Sequence, residues 1–309
     1  MEVIDCSICN FSSDRLSALN EEESVNVAIA HELILREKTC ERCHNKCRLS
    51  YKVKRFRCGK RISSLRKLGK NLQCNFSVSI CKNTFFERSK LSVNMVLRFV
   101  RFFLYKNFAL EHVVHNLNIS TRTFTDWSNF CREVCIAYNL RNSEKLGGPG
   151  KVVEIDESKF GKRKYNVGRI FQGQWVFGGI ERGSKKLFMV AVPSRDTETL
   201  LAIIKEWIEP GTTIISDCWK AYNCLSSEGY RHLTVNHSLN FVDADTGAHT
   251  QNIESNWRAA KAAVPKFGNR RHFFPGYLAR YLFIRRFPNN GQRFHEFLLA
   301  AGQLYNPGI

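Results

Sequence analysis

Apolar positions change their period partway along this chain of 309 residues. From residue 89 to about 145 no proline or glycine interrupts the sequence, and Val93, Val96, Leu97 and Val100 fall on one helical face of "LSVNMVLRFVRFFLYKN". "ALEHVVHNLNISTRTFTDWSNFCREVCIAYNL" predicts a helix, a turn over Asn118 to Ser120, and a second helix opened by "STRT". "KLGGPGK", Lys145 to Lys151, then breaks the chain as a linker does. Beyond it the pattern is that of strands: "KVVEIDES", "QWVFGGIER" and "KKLFMVAV", the last two joined at "RGSK" as a hairpin. "SRDTETLLAIIKEWI" predicts a helix capped within Ser194 to Thr197, with Leu200, Leu201, Ile204 and Trp207 on its apolar face. "TTIISD" follows "EPG" as a fourth strand, a short helix starts at Trp219, and "HLTVNH" is a fifth strand. "AHTQNIESNWRAAKAAV" predicts a closing helix that Thr250 can cap.

The order β-β-β-α-β-α-β-α is that of a ribonuclease-H-like fold, an α/β class with a mixed sheet and helices. It places Asp156 on the first strand and Asp217 at the end of the fourth, so two carboxylates meet on one rim of the sheet. Glu254, Arg258 and Lys261 share one face of the closing helix, and a helix over that rim completes a cage of three acids. Mg²⁺ prefers such hard oxygen ligands, and a pair of ions can serve both the attacking and the leaving oxygen of a phosphoryl transfer. Asp243 and Asp245 are nearby acids placed on a loop. By strand alternation Glu154 and Glu157 are expected on the face opposite Asp156, in surface or supporting roles.

Charge sharpens the picture. With 47 Lys and Arg against 28 Asp and Glu, the chain is drawn to polyanions. Fourteen of those cations lie between Arg36 and Lys70, against Glu37 and Glu41 alone. No apolar run is long enough to cross a membrane, since Arg98, Arg101 and Lys106 break the longest apolar face, so no membrane partner is expected. No secretory signal is visible at the N-terminus, and twelve cysteines then read as thiols or metal ligands in a reducing, intracellular compartment. A nucleotide-driven enzyme is excluded by the lack of a GxxxxGK[ST] loop.

The segments "VVEIDESKFGKRKYNVGR", "WVFGGIERGSKK", "TTIISDCWKAYNCL", "HLTVNHSLNFVDADTGAHTQNIESNWRAAK" and "YLARYLFIRRF" resemble the DDE domain of the Merlin superfamily of cut-and-paste DNA transposases and their bacterial insertion-sequence relatives. The likeness runs from about Lys151 to Phe287, with 60 residues between Asp156 and Asp217 and 36 between Asp217 and Glu254. It implies Asp156, Asp217 and Glu254 as a triad holding two Mg²⁺ or Mn²⁺ ions. It also implies binding of terminal inverted repeats, DNA cleavage and strand transfer, with transposon ends and target DNA as partners and a dimer or higher oligomer on DNA. His237 and His249 sit in the matching blocks as either structural or catalytic histidines, and Lys261 and Arg258 are placed to meet phosphate. A nuclear location follows if the source is eukaryotic. The alternatives are a domesticated, non-catalytic DNA-binding protein and a structure-selective nuclease on the same fold.

Three regions result: a basic, cysteine-rich, zinc-ribbon-like segment over residues 1–88, a helix-turn-helix-like region over 89–145, and the catalytic domain over 151–309. In the first, Cys40 and Cys43 have the spacing of a zinc knuckle. Cys58 and Cys74 are the second pair, Cys74 lying where a Merlin-like ribbon has its last ligand, though a basic insert separates them where a two-residue spacer is usual. Cys47 and Cys81 stand as substitutes, and the Cys6–Cys9 pair reads as incidental. In the second region, Thr121, Arg122, Thr123 and Asp126 open the helix that such motifs lay in the major groove.

Overall fold

The structure, a computed structural model, describes Cys9 and residues 13–61, 73–105, 108–161, 173–236, 247–265 and 271–305. The chain divides into two units, Met1–Tyr138 with Arg286–Ile309, and Asn139–Arg285. In the first unit, α1 (Ser13–Ala18) precedes α2 (Glu21–Ala30). A capping box opens α2: Asn20 accepts from the Glu23 amide at 2.9 Å, and Glu23 accepts from the Asn20 amide at 2.8 Å. β1 (Arg48–Ser50), β2 (Arg55–Arg57) and β3 (Ser77–Ser79) form a small antiparallel sheet in that order.

Three helices follow. Ser92 caps α3 (Val93–Phe103), whose Val93, Val96, Leu97, Phe99, Val100 and Phe103 are buried as their spacing requires. α4 (Leu110–Leu117) stops at Asn118, which takes the left-handed conformation at φ 48° that ends many helices. Ser120 then accepts from the Thr123 amide at 3.1 Å and starts α5 (Thr121–Arg141). Both helices and their turn lie where the sequence pattern puts them. Aromatic rings join them: Phe108 stacks on Phe124 at 4.9 Å, Phe99 meets Phe124 at 5.8 Å, and Phe85 meets Trp127 at 5.4 Å.

The second unit starts with β4 (Leu146–Gly147), then β5 (Val152–Phe160), β6 (Gln174–Glu181), β7 (Leu187–Val192), α6 (Thr197–Trp207), β8 (Ile208–Glu209), β9 (Thr213–Asp217) and β10 (Arg231–Val235), and ends with α7 (Gln251–Ala263) and α8 (Phe274–Arg286). Where one short helix is expected after Trp219, two 3₁₀ turns stand instead, Lys220–Tyr222 and Leu225–Glu228. β4 and β8 pair with each other, a small parallel ladder that the sequence did not suggest. The main sheet has the order β10-β9-β5-β6-β7: β5, β6 and β7 form an antiparallel meander, while β9 runs parallel to β5 and β10 parallel to β9.

Each face of this sheet is covered. Val153, Ile155, Phe177 and Phe188 pack with Leu200 and Ile204 of α6 and with Tyr222. Phe160, Val176, Ile180 and Met189 pack with Ile253, Trp257 and Ala260 of α7 and with Phe274, Tyr277 and Leu278 of α8. At roughly 25 cal/mol per Å² of apolar area removed from water, these two layers are the main stabilisation of the unit. α9 (Asn290–Leu304) belongs to the first unit, where the buried Arg293 guanidinium donates to the carbonyls of Leu104, Phe287 and Pro288 at 2.8, 2.7 and 3.0 Å. No described helix is long and apolar enough to cross a membrane.

One buried acid ties α7 to the sheet. The Glu154 side chain is 0% exposed, pairs with Arg182 Nε at 2.7 Å, and accepts from the backbone amides of Asn252 at 3.0 Å and Ile253 at 3.3 Å. Asn252 Nδ2 adds a bond at 2.6 Å. Glu154 therefore does from another element what an N-cap residue does locally, and Thr250, expected to cap α7, instead donates its hydroxyl to Glu254 at 2.9 Å. Glu154→Ala strands Arg182 and the first-turn amides of α7, so unfolding of this unit should become easier by about 3–5 kcal/mol. Removing Glu144, whose ion pair with Lys186 is exposed, should cost under about 1 kcal/mol. Thermal melts of the two variants check this, and equal effects would contradict the role given to Glu154.

Candidate functional site

Register brings the first two acids together. β5 and β9 are matched Val152↔Thr213, Val153↔Ile214 and Glu154↔Ile215, so two residues further on Asp156 is level with Asp217. Level residues of parallel neighbours point to the same face, here the α7 face that Glu154 also occupies. The expectation that Glu154 opposes Asp156 is thus corrected: residues two apart on a strand share a face. Glu157 alone turns to the other side, toward Tyr222 and Arg195.

The Asp156 carboxylate is held by Glu157, expected in a supporting role, and by Trp257, which the sequence did not single out. Trp257 donates its indole N–H to Oδ2 at 2.8 Å, and the Glu157 amide donates to Oδ1 at 2.8 Å. Gly178 is the β6 partner of Asp156, and a Cβ there would lie 2.9 Å from the Trp257 ring and from the Phe188 carbonyl; the bare backbone lets the indole lie across the strand. Burial pushes the Asp156 pKa up to about 7, helped by the negative charges of Glu157 and Asp217 and opposed by the Trp257 bond. Asp217 accepts from the Trp219 amide at 3.0 Å.

Around Glu157 the environment is similar. Its pKa is also raised by burial and by Asp217, against bonds from Tyr222 Oη at 2.5 Å and Arg195 at 3.4 Å. The Arg195 guanidinium lies over the Trp219 ring at 4.0 Å and over Trp175 at 4.7 Å. Trp257 was legible as part of the Ile253, Trp257, Ala260 stripe that α7 buries; Tyr222 sits in "CWKAYNCL" with no signal of its own.

Glu254, Arg258 and Lys261 are all exposed on α7, on one face as expected. Burial lowers the Lys261 pKa while the Asp156 charge opposes that shift, and Nζ lies 5.6 Å above the Phe160 ring. The His–Cys–acid groups whose ligand atoms all fall within 4.8 Å of one another among the described residues do not include Asp156, Asp217 and Glu254. Asp217 is near enough for its charge to help raise the Asp156 pKa; Glu254 is engaged with Thr250 at the helix start. His249 is structural in its contacts: its carbonyl accepts from Arg182 at 2.8 Å and its Nδ1 is 3.6 Å from Glu154. His237, Asp243 and Asp245 lie outside the described residues.

In the first unit Thr121, Arg122 and Asp126 are exposed at the start of α5, while the Thr123 hydroxyl is 2.9 Å from Ser120. Cys40, Cys43, Cys58 and Cys74 gather with their sulfurs within 4.8 Å of one another. Cys40 and Cys74 are 3.6 Å apart and Cys43 and Cys58 3.4 Å, against the roughly 3.8 Å edge of a tetrahedral zinc–tetrathiolate site. Backbone and side-chain N–H groups of Asn45 bring the Cys43 thiol down to about 6. Cys58, against a bond with the Lys60 backbone, is pushed up to about 12 by burial and the neighbouring thiols, as expected where one thiolate is shared among several sulfurs. The other pair is set by the hairpin: Cys58 N–H donates to Phe76, Cys74 N–H donates to Lys60, and Arg61 bridges Gln73. The basic insert therefore leaves both cysteines at the base of the hairpin. Cys47 packs beside the four, and Cys81 is not among them.

The ISXO2-like transposase domain matches residues 145–287. An uncharacterized transposase-like protein of Haemophilus influenzae is 31% identical over 90 residues, which cover 28% of this chain and 72% of that protein. The chain belongs to the ISXO2-like transposases, a DDE transposase family. A cryoEM structure of the simian T-cell lymphotropic virus intasome in complex with PP2A regulatory subunit B56 gamma aligns with a TM-score of 0.26 at 14% identity. That alignment covers 50% of this chain and 55% of the other, so the chain spans about half of that neighbour's length.

The raised pKa has a consequence for stability. An acid whose folded pKa lies above its unfolded value weakens the fold once it ionises, so the penalty is full above about pH 7 and gone below the ordinary value of 3.8. Asp156→Asn should therefore melt higher than wild type at pH 8 in EDTA, by several degrees, with the gap closing as pH falls toward 4. Millimolar Mg²⁺ should raise the wild-type Tm and leave the variant unmoved. Parallel melting curves at all pH values would remove the strained, cation-seeking character argued for Asp156.

Proposed function

We propose that the chain is a cut-and-paste DNA transposase of Merlin type, with Asp156, Asp217 and Glu254 as its Mg²⁺-binding acids on a ribonuclease-H-like domain. The observation that carries this reading is the level placement of Asp156 and Asp217 on adjacent parallel strands, at a rim where burial and mutual repulsion leave Asp156 short of positive charge. A sheet of five strands, with an antiparallel meander at one side and two parallel strands at the other, supports the fold assignment. The all-oxygen donor set suits a hard divalent ion.

When bound, paired ions supply Lewis acidity at the attacking and leaving oxygens of an in-line displacement. The protein's own part is to hold the acids still. Trp257 and the Glu157 amide fix both oxygens of Asp156, and the Trp219 amide fixes Asp217, so neither carboxylate must reorganise as charge develops. Glu254 lies in the first turn of α7, the turn that Glu154 anchors, and its proposed role is to hold a cation together with the other two acids. Arg258 and Lys261, exposed on the same helix, offer charge to DNA phosphates. Water and then the freed 3′-hydroxyl serve as nucleophiles, and no covalent enzyme intermediate is needed.

In the first unit, a zinc-bound Cys40, Cys43, Cys58 and Cys74 cluster and the α4–α5 pair, with Arg122 and Thr123 at the start of α5, are proposed to read the element's terminal repeats. Two element ends must be joined, so a second copy of the chain is a proposed partner. In a nucleated cell the protein would act in the nucleus.

The experiment is cleavage and strand transfer on DNA carrying the element's own ends. Asp217→Asn and Glu254→Gln should bind those ends as wild type does and lose at least about 10³-fold in both steps, about 4 kcal/mol of barrier. Wild-type cutting by Asp217→Asn would reject the acid assignment. A wild-type protein that binds the ends and never cuts them, with Mg²⁺ or Mn²⁺, would instead identify a domesticated DNA-binding protein.

A further inference from the structure

The Cys6–Cys9 pair reads as incidental in the sequence, but Cys9 has company in the fold. Cys9 Sγ lies 2.9 Å from His31 Nε2 and 3.7 Å from His295 Nδ1, and the two ring nitrogens are 3.1 Å apart. All three residues belong to the first unit, although 264 positions separate His31 from His295. Cys9 and His31 are each 1% exposed. This cluster is separate from the four cysteines near the small sheet.

Its hydrogen bonding points to an ion. His31 Nδ1 lies 2.8 Å from the Val27 carbonyl, which accepts only, so Nδ1 carries the proton and Nε2 presents a bare lone pair. That arrangement, a ring N–H on a backbone carbonyl, is the one that orients a metal-ligating histidine. Two further groups, a thiol and an imidazole nitrogen, then converge on the one lone pair, more than a single acceptor satisfies well. A tetrahedral ion bound by sulfur at about 2.3 Å and nitrogen at about 2.0–2.1 Å needs donor separations of about 3.3–3.6 Å, and the observed 2.9 to 3.7 Å bracket them.

The cluster is also built on fixed backbone. His31 is the C-cap of α2, and the amide of the next residue, Glu32, donates to the Ile29 carbonyl at 3.2 Å. α9 comes against it without a side chain between: a Cβ on Gly302 would lie 2.9 Å from the His31 carbonyl and 3.0 Å from Glu32. One sulfur and two imidazoles form a borderline-soft donor set that suits zinc rather than magnesium or calcium.

We propose that Cys9, His31 and His295 bind a second zinc ion, which fastens the N-terminal segment to the end of α2 and to α9. Water would fill the fourth position. Uptake displaces the Cys9 thiol proton, so affinity rises with pH.

The test is metal content of the full-length chain, purified from zinc-supplemented cells and counted by plasma mass spectrometry. Wild type should carry two zinc ions per chain, His295→Gln one, and Cys74→Ser one, the last by losing the cysteine-cluster ion. Wild type with a single zinc that His295→Gln retains would overturn the proposal, whereas a single zinc that His295→Gln loses and Cys74→Ser keeps would support it and refute the cysteine-cluster ion alone. If His295→Gln is poorly folded, Cys9→Ala replaces it: it too should hold one ion, and two ions in that variant would overturn the second site.

Discussion

A carboxylate buried without water must find its full set of partners, and the second unit is organised around how Glu154 does so. Its oxygens take the Arg182 guanidinium, the Asn252 side chain and two first-turn amides of α7. Helix position follows from this: an N-terminus with its positive dipole end pinned to the middle strand cannot slide along the sheet. Once α7 is pinned, Trp257 reaches Asp156, Ile253 and Ala260 fill the layer below, and Lys261 lies over Phe160. A change at Glu154 would thus move every side chain that surrounds the acidic rim.

The three acids of "KVVEIDESKF" show how local partners divide labour among like charges. Glu154 has Arg182 at 2.7 Å, and Glu157 has Arg195 at 3.4 Å with the Tyr222 hydroxyl. Asp156 draws on an indole N–H, a backbone amide and the charge of Lys261. Two acids are matched by arginine within the fold, and the one between them is left with a pKa near neutrality. An unmatched carboxylate beside Asp217 is the part of the strand that gains most from an added cation.

Strand and helix identities were legible because period alone fixes them: alternation in "KVVEIDES", a capped apolar stripe in "SRDTETLLAIIKEWI", the turn at Asn118. Register was partly legible, since Asp217 ends its strand as Asp156 requires. Partnerships between distant segments were not. Nothing in the sequence says that Glu154 meets Asn252 or that Gly178 clears a path for Trp257, whereas Cys58 and Cys74 were paired with Cys40 and Cys43 despite the insert between them. The face of Glu154 was open to simple counting, two residues from Asp156, and strand alternation applied strictly would have placed it with Asp156. Cys9 showed only as half of a Cys6–Cys9 pair without partners, because His31 and His295 are far from it in sequence and His295 comes near the other end of the chain.

Opposite electrostatic demands meet in this protein. A net charge of +19 draws in a polyanion, yet an acidic rim repels the phosphates that chemistry at such a rim would need to approach. Flanking cations soften that repulsion: Arg258 and Lys261 stand exposed on α7. They do not cancel it, since the Asp156 pKa remains raised. A divalent ion held between Asp156 and Asp217 would invert the local sign outright, turning a place that repels phosphate into one that attracts it. The burial that destabilises Asp156 as an anion would then make the rim select for a cation before it could select for a substrate.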